Sequence, residues 1–235
     1  VTKEFKWNVS LSPKGATVNC IKVSDLDLDS HKEIIVAFNK GWSGSGFLIL
    51  DSVTKEEEYI NTTIGDTYTL LVAEANENQG NEILVGGGET LYIFGYKKGN
   101  YTELWRSPKH GGRINAIELG NIDDVPGNEI VVGYRYYNED RECLGGIAVY
   151  SKKYELKWNK TDFSLYKVLN HSISVVRIYG DNKYLYTGLL DGTIKVWYKS
   201  NFSLYKGLLG HSWFVWSIHA DEQYLYSCYS GHPIR

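Results

Sequence analysis

The chain has 235 residues, of which 43% are hydrophobic, with 19 Tyr, 7 Trp and 24 Gly but only 4 Pro, and a net charge of -3. A slightly acidic chain lacks the electrostatic attraction to nucleic acid and anionic lipid that clustered Lys and Arg provide, so we exclude both partners. No stretch approaches the length of about 18 apolar residues that a spanning helix needs, so we also expect no membrane insertion.

Weaker features of the sequence bear on the subcellular location. The polar start at residues 1–8 shows no signal peptide, and the three cysteines Cys20, Cys143 and Cys228 have no metal spacing. We therefore expect a cytoplasmic protein. Six Asn-x-Ser/Thr sequons favour the alternative of an extracellular or cell-surface protein; they begin at Asn8, Asn61, Asn100, Asn159, Asn170 and Asn201.

A short strand-like phrase recurs along the chain. It reads EIIV at 33–36, EILV at 82–85, EIVV at 129–132, KYLYT at 183–187 and QYLYS at 223–227. A spacing of roughly 40 to 50 residues is typical of an array in which one four-stranded unit repeats. The repeat predicts an all-β fold, a β-propeller of four-stranded antiparallel blades.

Each unit divides into strands a, b, c and d, where strand b is the recurring phrase. Strand c is predicted at 46–50, 90–94, 146–150 and 193–197, and strand d at 57–60, 102–105, 154–158 and 202–206. The blades are then 10–62, 63–107, 108–160, 161–207 and 208–235, with an additional N-terminal strand at 3–9, in one domain spanning 1–235. We expect about five visible blades of a seven-bladed propeller; the alternative is a fifth blade that closes on the N-terminal strand.

The first a to b connection carries acidic residues at alternate positions. Asp25, Asp27, Asp29 and Glu33 stand at positions 1, 3, 5 and 9, a pattern by which side chains of a tight loop converge on one hard cation. With this loop and its following apolar strand, residues 17–150 resemble the FG-GAP repeats of integrin α propellers. The resemblance implies a calcium site, although Ser30 replaces the family's glycine at position 6.

The next two acidic connections are poorer in carboxylates. The second offers Glu74, Asn76, Asn78 and Glu82, and the third offers Asn121, Asp123, Val125 and Glu129. Valine cannot ligate a cation, and Asp and Asn also cap turns by accepting backbone N–H bonds. Calcium is thus a candidate only for the first loop, and no other cofactor is expected.

The last two units share a different signature. FSLYK occurs at 163–167 and 202–206, and a His-Ser pair follows each copy. Residues 163–235 resemble WD repeats on this basis. The resemblance implies a structural tetrad in which a buried Asp is satisfied by imidazole and hydroxyl groups; its members are His171, Thr187, Asp191 and Trp197. The final unit keeps His211 and Ser227, but Gly231 stands at the Asp position.

No catalytic constellation accompanies these repeats, so we expect no enzyme. The longest interruption of the repeat, Tyr134–Cys143, combines Tyr and Arg side chains, which protein interfaces favour. Candidate partner-binding residues on this and neighbouring loops are Trp42, His110, Arg113, Arg135, Tyr136, Tyr137, Arg141 and Trp213.

Three functions compete. The first is a non-catalytic scaffold that presents a loop face to a protein partner, as the WD-like half implies. The second is a carbohydrate-binding or cell-surface adhesion propeller with a calcium loop, as the integrin-like half and the sequons imply. The third is a propeller enzyme of the quinoprotein or lyase type, which requires convergent polar residues in the central channel. Fold alone does not decide among them.

Overall fold

The computed structural model describes residues 15–40, 44–75, 80–121, 127–152, 163–221 and 223–229. Regular structure within these ranges is entirely β, with eighteen strands arranged in five sheets. None of these residues belongs to a helix long and apolar enough to cross a membrane. The predicted N-terminal strand at 3–9 and Trp42 lie outside the described residues.

Every sheet follows chain order. The first contains β1 (Thr17–Ser24), β2 (Glu33–Asn39), β3 (Gly46–Asp51) and β4 (Glu57–Asn61). The second contains β5 (Thr67–Ala73), β6 (Glu82–Gly87), β7 (Thr90–Lys97) and β8 (Asn100–Arg106). The third contains β9 (Arg113–Gly120), β10 (Glu129–Tyr137), β11 (Cys143–Lys152) and β12 (Phe163–His171). The fourth contains β13 (Val175–Gly180), β14 (Tyr184–Leu189), β15 (Ile194–Tyr198) and β16 (Leu204–Leu208), and the fifth contains β17 (Val215–Ala220) and β18 (Leu225–Tyr229).

Burial explains why the strand b phrases of the first three units are short apolar runs. All six residues of β6 are buried, whereas β4 contains only exposed and half-buried residues and β8 contains one buried residue, Tyr101. A short uninterrupted apolar run is typical of a strand covered on both faces. The first strands of the five sheets, β1, β5, β9, β13 and β17, contact one another in that order. Successive antiparallel sheets therefore pack face to face as blades, which confirms the predicted fold class.

Glycines in strand b set the spacing between blades. Gly86, Gly133 and Gly188 occupy equivalent positions, and an added Cβ would come within 2.6, 2.7 and 2.7 Å of side-chain atoms in strand a of the next blade. At Gly86 that neighbour is Ile114, which is fully buried. The missing side chain leaves room for a branched residue from the next blade, and this contact joins consecutive sheets.

The fourth strand of the third blade is not where we predicted it. Residues 154–158 lie outside the described residues, and the strand that pairs with β11 is β12, with Lys152 opposite Phe163 and Gly145 opposite His171. The boundary between the third and fourth blades therefore falls after His171 rather than near residue 160. FSLYK then lies at the start of strand d in both copies: the first copy begins β12 at Phe163, and the second enters β16 at Leu204.

Because the strands are antiparallel, the connections between them lie at two opposite ends of the blades. Thr17 at the start of β1 lies opposite Asn39 at the end of β2, and Phe47 in β3 lies opposite Asn61 at the end of β4. Connections from b to c and from d to the next a thus share one end. We call this end the loop face; its described connections include 62–66, 88–89, 107–112, 138–142, 172–174, 190–193 and 209–214. The a to b and c to d connections form the opposite face.

Candidate functional site

The first a to b turn brings three of the predicted calcium ligands together. One carboxylate oxygen from each of Asp25, Asp27 and Asp29 lies within 4.8 Å of the others. These carboxylates also bond to the turn itself: Asp25 accepts the N–H groups of Leu28 at 2.8 Å and Ser30 at 3.2 Å, and Asp27 accepts that of Asp29 at 3.2 Å. The acidic side chains therefore shape the turn, and calcium binding there stays a prediction.

Glu33, the fourth predicted ligand, is separate from this group. Its side chain is 1% exposed, and its Oε2 accepts the N–H of Leu26 at 2.5 Å. Burial raises the pKa of Glu33 to about 7, and the nearby charge of Asp27 contributes in the same direction. Ser30, at the family's glycine position, adopts φ of 75°, a conformation that glycine tolerates better. The predicted set of four is divided between a carboxylate cluster and a buried cap.

The buried glutamate recurs in the next blades. Glu82 accepts the N–H of Ala75 at 2.8 Å, and both residues are buried. Glu129 is 4% exposed at the same position, while Asn76, Asn78, Asp123 and Val125 lie outside the described residues. The glutamate that begins strand b in the first two blades thus satisfies a backbone donor of the preceding turn, which is a structural task.

The fourth and fifth blades close the same turn with aspartate. Asp181 accepts the N–H groups of Lys183 and Tyr184 at 2.7 and 2.6 Å and the hydroxyl of Tyr186 at 2.6 Å. Asp221 makes the equivalent bonds to Gln223, Tyr224 and Tyr226 at 2.8, 2.7 and 2.9 Å. Sequence reasoning missed this motif, although its signal, Asp-x-x-Tyr-Leu-Tyr, occurs in both units.

The tetrad implied by the WD resemblance is present in part. Trp197 Nε1 donates to Thr187 Oγ1 at 3.0 Å in the fourth blade, and Thr187 is fully buried. The expected buried Asp191 is wrong: this residue is exposed and accepts the N–H of Thr193 at 2.9 Å, because it lies in the b to c turn at the surface. The side chain of His171 lies outside what the structure describes.

In the fifth blade the other half of the motif appears. His211 Nε2 lies 2.7 Å from Ser227 Oγ, which places an imidazole beside a strand b hydroxyl. Gly231 lies outside the described residues. Hydroxyl to indole pairing in one blade and hydroxyl to imidazole pairing in the next are both consistent with the predicted repeat, although neither blade displays four linked side chains among its described residues.

His110, predicted as a contact residue, is half-buried in a connection of the loop face. Its Nε2 lies 3.2 Å from the Tyr150 hydroxyl and 3.3 Å from Ser107 Oγ, and its ring centroid lies 5.0 Å from that of Tyr134. Burial lowers the pKa of His110 to about 4, so the ring is neutral at pH 7. The neighbouring rings and hydroxyls hold this half-buried side chain in place, and a partner contact there stays a prediction.

Arg113 and Arg135 lie opposite each other at the loop-face end of β9 and β10. The Arg113 guanidinium carbon is 3.7 Å from the centroid of the Tyr68 ring, and its Nε donates to Asn115 Oδ1 at 3.0 Å. Tyr68, which sequence reasoning did not select, belongs to β5 of the preceding blade. The site therefore bridges two blades.

The remaining predicted contact residues are more exposed. Tyr137 is 63% exposed at the end of β10, while the half-buried Tyr136 stacks on Tyr134 with ring centroids 6.3 Å apart. Arg141 is exposed in the turn that follows, at φ of 62°, and its N–H bonds to the Asn138 carbonyl at 3.0 Å. The interruption is thus an ordered turn that presents Tyr137 and Arg141 to solvent.

Trp213 lies on another loop of the same face. It is 58% exposed in the connection before β17, and its ring centroid is 6.5 Å from that of Phe214. The structure places Arg113, Arg135, Tyr137, Arg141 and Trp213 at one end of the blades, as predicted from loop type.

The opposite face holds an open cleft of about 1210 Å³ between the third, fourth and fifth blades. Its lining includes Tyr184, Tyr198 and Tyr224, together with two lysines and the two turn-capping aspartates. Lys199 Nζ donates to the Asp181 carbonyl at 2.8 Å. The described lining thus contains groups of both charges.

Comparison with known proteins agrees with the propeller architecture. The model of the WD domain, G-beta repeat matches residues 163–198, which run from β12 to β15. No curated protein sequence matches the chain.

Solved structures with related folds share little sequence. The chain is similar to Sqt1 of Saccharomyces cerevisiae, with 13% identity and a TM-score of 0.66 over 90% of this chain and 56% of that one. It is also similar to the computationally designed protein Ika8, with 16% identity and a TM-score of 0.59 over 90% of this chain and 55% of that one. A second designed protein, Ika4, has 18% identity and a TM-score of 0.54 over 83% of this chain and 99% of that one. The chain thus spans about half the length of Sqt1 and Ika8. With the sheet order, these matches identify the chain as a β-propeller repeat protein with a WD repeat at residues 163–198.

Proposed function

We propose that the protein is a non-catalytic scaffold that binds a protein partner through its loop face. Propellers with WD repeats generally bind protein partners, and this chain contains such a repeat. The observation that carries the proposal is Tyr137, which is 63% exposed where the chain departs from its repeat. An exposed tyrosine beside Arg141 supplies contact area and hydrogen-bond donors with little loss of side-chain entropy.

The chemistry of the described residues supports a binding role over catalysis. The group of acidic side chains close enough to hold a metal is Asp25, Asp27 and Asp29, and it lies on the opposite face from the candidate contact residues. The half-buried His110 is neutral at pH 7 and packs against Tyr134, Tyr150 and Ser107. Carbohydrate binding, propeller enzyme chemistry and the cytoplasmic address stay predictions from the sequence.

Affinity capture with three forms of the purified chain tests the proposal. The loop-face variant carries Tyr137→Ala and Arg141→Ala, and the matched control carries Tyr224→Ala and Lys183→Ala on the opposite face. Tyr224 is 62% exposed, so both variants remove one similarly exposed tyrosine and one exposed cation. We expect a protein captured by the wild type to be retained by the control and lost from the loop-face variant.

Melting temperatures of the three forms should agree, because exposed side chains contribute little to stability. An identical set of captured proteins for all three forms would contradict a loop-face scaffold.

A further inference from the structure

Two arginines at the loop face stand in an arrangement that folding alone does not favour. Arg113 and Arg135 are direct cross-strand partners in β9 and β10, and both side chains are half-buried. Like charges placed directly opposite each other in a sheet destabilise it. Burial and the charge of Arg135 lower the pKa of Arg113, as expected when one cation is held near another.

No carboxylate neutralises this pair within the described part of the chain. Ion pairs there involve other side chains: His31 with Asp29, Arg106 with Glu103, and Lys109 with Glu89. Asp66, which lies 3.5 Å from the Tyr68 hydroxyl, accepts a hydrogen bond from Ser45. Glu142, in the turn after β10, is bound to the Asn138 amide at 2.8 Å.

Arg113 is nevertheless held in place. A guanidinium has five N–H donors, and the bond to Asn115 uses the Nε donor. The ring of Tyr68 lies against the guanidinium at 3.7 Å from its centroid, and Asn115 is itself fixed by donating to the Val175 carbonyl at 3.1 Å. A stacked arginine whose terminal nitrogens have no carboxylate partner is a preorganised binding group for an oxyanion.

The surroundings give access from the loop face. Tyr137, two residues beyond Arg135 on β10, is 63% exposed. Gly111, in the connection before Arg113, has a backbone φ of 74°, and a side chain there would meet nothing within 4 Å. A ligand approaching this end of the blades therefore meets two guanidinium groups flanked by tyrosine rings.

We propose that Arg113 and Arg135 form an oxyanion site that binds anionic side chains of an acidic peptide segment in the partner protein. The inference rests on the proposed scaffold function and names the chemistry of its partner. The ligand oxyanion, a glutamate or aspartate carboxylate or a phosphorylated side chain, supplies the negative charge that the described chain lacks beside the pair. Tyr68 positions Arg113, and Tyr137 lies at the rim.

Fluorescence anisotropy with labelled peptides tests the site. The probes are a peptide of alternating Glu and Gly, its Gln and Gly counterpart, a phosphoserine and Gly counterpart, and a single-stranded RNA. Proteins are the wild type, Arg113→Gln, Arg135→Gln, the double variant, and Arg106→Gln. The last is a matched control because Arg106 is an exposed arginine already paired with Glu103 at 2.6 Å.

We expect the wild type to bind a Glu or phosphoserine peptide at least about tenfold more tightly than the Gln peptide, because losing a charge-paired partner costs more than 1.4 kcal/mol. The double variant should lose that preference, Arg106→Gln should keep it, and added salt should weaken it. Comparison of the Glu and phosphoserine peptides distinguishes a carboxylate from a phosphate ligand.

Stability gives an independent readout. Arg135→Gln removes the repulsion between the two cations, so its melting temperature should equal or exceed that of the wild type while peptide affinity falls. A purely structural arginine would give the reverse. Equal affinity for the Glu and Gln peptides, an equal loss in Arg106→Gln, or an RNA preference over both acidic peptides would overturn the proposal.

The outcome can be separated from that of the scaffold. If Tyr137→Ala with Arg141→Ala removes a captured partner while the peptides show no charge preference, the loop face binds protein by other contacts and only the oxyanion site is wrong. If the acidic peptides bind through Arg113 and Arg135 but no captured protein depends on the loop face, the site exists and the scaffold proposal fails.

Discussion

The first two blades and the last two solve one structural problem with different acids. Where strand a turns into strand b, Glu33 and Glu82 reach back from the start of strand b and accept a backbone N–H while buried. Asp181 and Asp221 instead begin the turn, accept two backbone N–H groups each, and bind a tyrosine hydroxyl.

The two solutions place their charge in opposite environments. Glu33 is enclosed, and burial raises its pKa to about 7. Asp221 is exposed, and backbone hydrogen bonds from Gln223 and Tyr224 lower its pKa. The turn between strands a and b therefore favours the protonated form of Glu33 in the first blade and the ionised form of Asp221 in the fifth. The two sites differ in the number of N–H donors and in their access to water.

The largest expected effect is at the buried glutamate. Glu33→Ala leaves the N–H of Leu26 without its acceptor, and we expect a loss of about 3 kcal/mol at pH 5, in the range for a buried unsatisfied group. Urea denaturation measures it. Glu33→Gln keeps an acceptor oxygen and should lose less than half as much; equal losses for the two variants would show that the hydrogen bond does not matter.

The stability lost on replacing each turn aspartate by alanine should increase with burial and with the number of hydrogen bonds removed. Asp181→Ala frees two backbone donors and the Tyr186 hydroxyl, which is 8% exposed, and we expect a loss of about 2 kcal/mol. Asp221→Ala breaks the same bonds around an exposed tyrosine and should lower the melting temperature less. Asp191→Ala, which removes one exposed hydrogen bond among the described residues, should cost least. A larger loss of stability for Asp191→Ala than for Asp221→Ala would support a complete tetrad and contradict this ranking.

The contributions of Glu33 and Asp221 to folding stability should change with pH in opposite directions. Since the pKa of Glu33 is raised in the folded state, the folded protein binds more protons than the unfolded one between pH 4.5 and about 7, and its contribution to stability falls as pH rises through this window. The lowered pKa of Asp221 makes its contribution present above pH 3.8 and lost as pH falls below it. Stability measured from pH 3 to 8 should show Glu33→Gln flattening the upper window and Asp221→Asn flattening the lower one.

Calcium should produce the smallest effect, and only in the first blade. Asp25, Asp27 and Asp29 already bond to N–H groups of their own turn, and Glu33 points elsewhere, so binding should be weak, with a dissociation constant of about 1 mM or higher. Titration calorimetry should detect heat that Asp27→Asn abolishes and Asp221→Asn leaves unchanged. A melting temperature that is the same in calcium and in EDTA would end the metal hypothesis.

Much of the fold could be predicted because its signals are local. Strand b is a short buried run, and its recurrence at about one blade length indicated the propeller. The position of β12 was missed because YELKW at 154–158 resembles strand d elsewhere, whereas pairing with β11 selects the FSLYK phrase at 163. Pairing depends on the length of the connection, which local pattern does not record.

The candidate site was predicted less completely. Loop type correctly placed Arg113, Arg135 and Tyr137 at one end of the blades, because antiparallel pairing fixes where each connection lies. Tyr68 was missed, since its contact with Arg113 joins different blades and no spacing along the chain reveals it. The packing of His110 against Tyr134 and Tyr150 was also missed, because those residues belong to other strands.

By itself the sequence determined the repeat and the order of the strands within a blade, because these patterns depend on neighbours a few residues away. Tertiary structure alone decided which side chains water reaches. Tyr186 and Tyr226 occupy equivalent positions and bond to equivalent aspartates, yet they are 8% and 51% exposed. The fifth sheet packs on the fourth, and among the described residues no further sheet packs on the fifth. The same local hydrogen bonds thus lie in a buried environment in the fourth blade and an exposed one in the fifth, because the blades pack differently.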